Sequence, residues 1–368
     1  MKIVNTPSPI IAPPAERKKA AQELGFDDID DYTGPVDGKS HPAHRELLRP
    51  LTKALVALEY RTEIEGADKL PTSGPQVYCP THPSFFDPAV VSTLFDRDVR
   101  FIANYQFFDG ARGKMMTWGG AFPVDLERGS PRAVKHSLEI VKDGLGFVIF
   151  PEGKISDRPD QVDPLKKGVG MIAVRGGAEA ITPISVHYVK NDKARWGELA
   201  AGLATSLAVG VGATLAAVGD PVLRTVAGAA TGALAGLYSG AALLRANTEL
   251  EKSYDQFPKF FAGLKGGALG AAAGAVAGAV VAGSLPFGGL VMAGVGTVAT
   301  AALADAWRTR DVVKVTVGDP LVVKDYVDKY GKREADQRIN EDLHTALGHL
   351  KAAASGTPYD ENGPKTRD

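Results

Sequence analysis

Four stretches without a single charged side chain, Leu199–Gly219, Thr225–Leu244, Gly266–Ser284 and Phe287–Ala304, occupy the second half of this 368-residue chain. Glycine recurs at every fourth position within them, at Gly228, Gly232, Gly236 and Gly240, and again at Gly266, Gly270, Gly274 and Gly278. On a helix that period lines one face with bare backbone, which lets a second helix approach closely. Each glycine costs a water-exposed helix about 1 kcal/mol relative to alanine, so the repeat needs tight packing to offset it. Asp220-Pro221 separates the first two stretches and Pro286 the last two, so the pattern predicts two helical hairpins. Each stretch approaches the roughly 20 residues that cross a bilayer. Lys190, Lys193, Arg195 and Trp196 precede the first, and Trp307, Arg308 and Arg310 follow the last. Cations and tryptophans at the base fit interfacial anchoring with the rest of the chain on the cytoplasmic side, whereas Arg224 near a tip argues against insertion. The alternatives are a soluble or oligomerising bundle packed through the glycine faces, and low-complexity disorder.

Outside this insertion the periodicity changes. Apolar runs at Thr62–Ile64, Val77–Cys79, Val99–Ala103, Ala121–Val124, Phe147–Phe150, Ile181–Val189 and Val312–Val317 read as strands. Helical patterns at Arg45–Glu59, Pro88–Leu94, Lys114–Trp118, Ser130–Val141, Val169–Arg175 and Glu334–Ala354 alternate with them. That alternation predicts an α/β fold, a mixed sheet flanked by helices, interrupted by an all-α helical insertion. The expected organisation is a polar lead-in over 1–42 and the first part of the α/β domain over 43–190. The insertion follows over 191–310, then a return strand and terminal helix over 311–354, and a polar tail over 355–368.

Composition narrows the function classes. A net charge of -1 gives no global attraction to nucleic acid. Cys79 is the one cysteine, which excludes an internal disulfide framework and fits a reducing compartment. Met1–Ala15 is proline-rich and polar and lacks the apolar core of a secretory signal. His41, His44, His344 and His349 have no cysteine partners, so no metal site is expected.

Chemistry concentrates in two turns. Thr81-His-Pro-Ser-Phe-Phe-Asp-Pro88 follows one strand, and Phe150-Pro-Glu-Gly-Lys-Ile-Ser156 follows another. Drawing a proton from a hydroxyl nucleophile needs a base, and an imidazole base needs an orienting partner. Asp87 five positions after His82 could accept from one ring nitrogen and leave the other for substrate. Asp87-Pro88 also reads as a helix N-cap followed by proline.

In this order and spacing the two turns resemble those of the glycerolipid acyltransferase family, the enzymes that acylate glycerol phosphate and lysophospholipids. The resemblance covers Glu63–His187 and resumes at Val312–Leu321. It implies His82 as general base and Asp87 as its orienter, with Glu152, Gly153 and Lys154 holding the acceptor. Gly120-Ala-Phe-Pro-Val-Asp125 resembles a further family block, and Ile181-Thr-Pro-Ile184 another that shapes the donor region. Two departures stand out. Leu126 occupies a position where the family commonly has arginine, leaving Arg128 as a candidate replacement, and Ile155 stands where the family has another arginine. An arginine offers phosphate a two-pronged fork, whereas Lys154 offers only a point charge.

The resemblance implies a membrane-associated enzyme moving a fatty acyl group from a thioester, acyl-CoA or acyl carrier protein, to a lysophospholipid. Lysophosphatidic acid is the leading acceptor, and no cofactor is implied. Partners would be these substrates, the lipid bilayer and a second copy through the glycine faces, with no nucleic acid. The alternatives are the same chemistry on another lyso-lipid or hydroxyl acceptor, and a non-catalytic membrane scaffold or lipid-binding protein.

Overall fold

The computed structural model describes residues 47–108, 110–125, 130–189 and 311–367, together with Gln22. The glycine-patterned insertion and its two expected hairpins lie outside these residues, as do Leu126 and Arg128. Among the described residues no helix is long and apolar enough to cross a membrane.

The chain forms two compact units. Among the described residues, one unit holds 47–57, 62–187 and 314–367, and the other holds 58–61, 188–189 and 311–313. In the second, the Arg61 N–H donates to the Asp311 carbonyl at 2.9 Å. Tyr60 and Tyr188 there meet edge to face at 5.2 Å.

The described chain begins with helix α1 (Arg49–Glu59), strand β1 (Arg61–Glu65) and β2 (Gln76–Pro80). Helix α2 (Asp87–Ser92), β3 (Val99–Asn104), α3 (Gly110–Trp118) and β4 (Ala121–Val124) follow. Next come α4 (Pro131–Lys142), β5 (Gly146–Val148), β6 (Leu165–Lys166), α5 (Gly168–Gly176) and β7 (Ala180–Val189). Past the insertion lie β8 (Val312–Val317), β9 (Leu321–Val322), α6 (Val323–Ser355) and β10 (Thr366–Arg367).

The main sheet runs β1-β8-β7-β2-β5-β3-β4, with β9 added against β7. β2 is parallel to both β5 and β7, and β3 to both β4 and β5, whereas β9 runs antiparallel to β7. This is the mixed sheet that the alternating pattern predicts. All five residues of β2 are buried, as befits a central strand whose run Val77-Tyr-Cys79 is continuously apolar rather than alternating. Helix α4 starts where its sequence demands. The Ser130 hydroxyl accepts from the Ala133 N–H at 3.1 Å, and Pro131 sits in the first turn, where its missing donor is harmless.

Helices α5 and α6 pack closely on the core formed by Val77, Phe147, Leu165, Ile172 and Leu343. A β-carbon at Gly170 would lie 2.1 Å from the Asp336 carbonyl oxygen, so only glycine permits the approach. Asn340 bridges the pair, accepting from the Gly170 N–H at 3.0 Å and donating to the Lys167 carbonyl at 3.2 Å.

Three expectations change. A further helical stretch from Val323 precedes the expected terminal helix, and a break at Gly331 (φ 71°) separates the two. β5 ends at Val148, so Phe150 belongs to the turn that follows. The polar tail does not simply lead out of the fold. It returns to pair β10 with β6, Thr366 opposite Leu165 and Arg367 opposite Lys166. Tyr359 also hydrogen-bonds His344 of α6 at 2.9 Å, because its aromatic ring and hydroxyl find an apolar and a polar partner there together.

Candidate active site

Where β2 ends, Thr81 extends its pairing with β7. The Thr81 N–H donates to the Ile184 carbonyl at 2.9 Å, and its hydroxyl accepts from the Val186 N–H at 2.9 Å. The chain therefore leaves the sheet from a fixed point, and His82 is the first residue beyond it.

His82 Nδ1 lies 2.9 Å from Asp87 Oδ2. The same oxygen accepts from the Ser84 N–H at 2.7 Å, and Asp87 is 0% exposed. A carboxylate only accepts, so Nδ1 carries the proton in this pair and proton acceptance falls to Nε2. The imidazole stacks on Phe150 with ring centroids 4.2 Å apart, which fixes its plane from a second side. The N-cap reading of Asp87 gives way here. Phe86 is the cap position of α2, and the Asp87 side chain turns back to Ser84 and His82 instead.

The second turn holds the first. Glu152 Oε1 accepts from the His82 N–H at 2.9 Å, and Oε2 accepts from the Asp163 N–H at 3.0 Å. The Ser156 N–H donates to the His82 carbonyl at 2.7 Å, so both peptide groups of His82 are tied to the Glu152 turn. Burial raises the Glu152 pKa, and the two backbone N–H groups work against that rise. Gly153 adopts φ +64°, and the Lys166 stem lies 2.8 Å from where a β-carbon would project. Its left-handed backbone calls for glycine.

Lys154 turns elsewhere. Its ammonium pairs with Asp157 and lies 3.7 Å from Asp163 Oδ2. Arg158 binds Asp163 Oδ1 through two nitrogens at 2.9 and 3.2 Å. Burial alone would raise the Asp163 pKa, but the Arg158 hydrogen bond and the charges of Lys154 and Arg158 outweigh it and hold the carboxyl below its usual range. Ile155 is buried.

Beneath the site lies Lys351 of α6, 1% exposed, whose ammonium donates to the Val186 carbonyl. Burial lowers its pKa to about 8, although the charges of Asp87, Glu152 and Asp160 favour its ionised form. Cys79 is buried in β2, which pushes its thiol pKa up and leaves it inert.

The structure thus brings His82, Asp87, Glu152 and Gly153 together, directs Lys154 to neighbouring carboxylates, and leaves Arg128 outside the described residues. The sequence motifs do not mark Asp163, Arg158, Lys351 or Arg367. Lys351 had a readable signal. It continues the every-fourth-residue series Ala335, Ile339, Leu343 and Leu347, all buried on one face of α6.

Comparison with known proteins agrees with the motifs. Residues 61–187 match the family model described as Acyltransferase. The chain is similar to the 1-acyl-sn-glycerol-3-phosphate acyltransferase of Bacillus subtilis (strain 168), 26% identical over 131 residues. That match covers 35% of this chain and 64% of the relative, so the chain spans under two thirds of the relative's length. The crystal structure of the 1-acyl-sn-glycerophosphate (LPA) acyltransferase PlsC from Thermotoga maritima matches with TM-score 0.31 and 21% identity. It covers 38% of this chain and 55% of that one.

Proposed function

From an acyltransferase-family domain over residues 61–187, we propose that this protein transfers a fatty acyl group from a thioester to the hydroxyl of a lysophospholipid. Lysophosphatidic acid, giving phosphatidic acid in phospholipid synthesis, is the preferred acceptor. The observation that carries the reading is the His82–Asp87 pair at 2.9 Å, with both His82 peptide groups held by the Glu152 turn.

In this reading His82 Nε2 takes the proton from the acceptor hydroxyl as its oxygen attacks the thioester carbonyl. Asp87 stabilises the resulting imidazolium. Collapse of the tetrahedral intermediate breaks the C–S bond, and the imidazolium returns its proton to the departing thiolate. No covalent enzyme intermediate is needed. The donor is acyl-CoA or acyl carrier protein. The charge-free stretches between Leu199 and Ala304, flanked by cations and tryptophans, support work at a membrane with the catalytic unit on the cytoplasmic side.

A second acceptor reading has its own support. Ile155 is buried and Lys154 is engaged by Asp157 and Asp163, so these two residues make no obvious phosphate site. Another lyso-lipid alcohol would then be the acceptor. The full chain in liposomes, supplied with acyl-CoA or acyl carrier protein thioester and a panel of lyso-lipids, separates the readings. Preferred conversion of lysophosphatidate supports the first. Preference for a different lyso-lipid supports the second, and absence of acyl transfer to every acceptor rejects both.

A further inference from the structure

The acyl-transfer steps leave Lys351 unused, yet its ammonium lies beside the residue that precedes the base. It donates to the Val186 carbonyl, which also accepts from the Thr81 hydroxyl at 3.4 Å. That hydroxyl in turn accepts from the Val186 N–H at 2.9 Å, and His82 follows Thr81 directly. The ammonium therefore enters where β2 ends and β7 runs on. The end of α6 is fastened close by, with the Ser355 hydroxyl donating to the Asp160 carbonyl at 3.2 Å.

A buried ammonium costs the fold stability unless anions face it. Here Asp87 and Glu152, 0% and 1% exposed, and the Asp160 carboxylate all favour its charged form. Asp87 belongs to α2, and the other two to the segment between β5 and β6. His187 of β7 faces the same ammonium. Burial, the Lys351 charge and Lys314 of β8 lower the His187 pKa, while Asp160, 3.7 Å from its Nδ1, opposes them. Coulomb attraction is mutual, so the lysine acts on Asp87 as Asp87 acts on it. With that cation removed, two buried carboxylates would hold His82 between them, and both would bind protons more readily. So would the imidazole, because the like charge that disfavours imidazolium would be gone.

We propose that Lys351 is a positioning residue for acyl transfer, the buried counter-charge of the His82–Asp87 pair that sets how low in pH the pair works. A base acts only while unprotonated, and Asp87 orients it only while accepting the Nδ1 proton. One positive charge nearby favours both of those states. This deepens the acyl-transfer reading and rests on it for the reaction, whereas protonation of His82 is measurable without turnover.

The test uses the full chain in two arms. In liposomes, kcat/KM for lysophosphatidate is followed against pH in wild type, Lys351→Gln, Lys351→Met and Lys351→Arg. Glutamine keeps an N–H donor for the Val186 carbonyl without the charge, methionine keeps neither, and arginine keeps both. The acidic limb falls within about pH 5 to 8, where imidazole titrates, and moves up by about 0.5 to 1.5 pH units in the glutamine and methionine variants. Lys351 itself is charged below about pH 8, so its charge is present across that limb. Lys351→Arg follows wild type. In the second arm, NMR of histidine-labelled protein in detergent micelles reports the protonation of His82, whose signal is the one missing from His82→Ala. Its midpoint rises by a similar amount in Lys351→Gln and Lys351→Met. The proposal is overturned if either uncharged variant, folded by circular dichroism, keeps the wild-type limb and midpoint. It is overturned equally if kcat/KM falls by one factor at every pH, the mark of a lysine that only ties α6 to β7, or if Lys351→Arg shifts as glutamine does. A raised midpoint in the variants, with no acyl transfer by wild type, would reject the proposed reaction while retaining the charge coupling.

Discussion

Asp87 Oδ2 receives two donors at once, the Ser84 N–H at 2.7 Å and His82 Nδ1 at 2.9 Å. One oxygen thereby shapes the turn and orients the ring. Asp87→Asn keeps the volume and an acceptor for Ser84, but it presents an amide N–H₂ to Nδ1. The ring then places its proton on Nε2, the atom assigned to take the substrate proton. We expect kcat to fall about 10²- to 10⁴-fold while the far-ultraviolet circular dichroism is unchanged. A fall of less than tenfold in a folded variant would remove Asp87 from the mechanism.

Glu152 is a strut rather than an open ligand, because each carboxylate oxygen receives a backbone N–H. Glu152→Gln must turn its amide nitrogen toward one of those donors, His82 or Asp163. A buried N–H left without an acceptor costs about 1–3 kcal/mol. Thermal unfolding should register that loss, and kcat/KM should fall with it as the His82 turn loosens. Equal melting temperature and activity in the variant contradict the assignment.

Lys351 ties stability to alkaline pH. Its pKa is lowered from 10.5 to about 8 in the fold by burial, against the pull of Asp87, Glu152 and Asp160. Below about pH 8 the lysine is charged in both states, and its burial cost is fully present. Between about 8 and 10.5 the unfolded chain holds the extra proton, so stability rises with pH. Relative to Lys351→Met, wild type should gain about 3 kcal/mol across that window, measured by chemical denaturation at several pH values. Parallel curves for the two proteins would show that Lys351 does not titrate there.

The parts that a local pattern can encode were readable in the chain. Ala121–Val124 and Val312–Val317 form strands over the residues expected, and Ser130-Pro131 starts its helix. The His82 and Glu152 turns follow β2 and β5, and an acid stands five positions after the imidazole. What escaped depends on contacts distant in sequence. Nothing near Thr366 indicates that it will pair with Leu165, since a two-residue strand has no periodicity of its own. Lys154 looked available from its motif, but Asp157 and Asp163 compete for it once the chain folds back. Lys351 has the helical spacing of a core position, but that spacing alone does not bury it, because lysine on an apolar helix face ordinarily reaches out to water.

The central claim is that the His82 imidazole is the base that activates a lipid hydroxyl. It is tested most directly by the initial rate of acyl transfer to lysophosphatidate in liposomes, comparing wild type with a folded His82→Ala variant. The account predicts a rate lower by about 10²- to 10⁴-fold at every pH tested. A variant that retains the wild-type rate would contradict it.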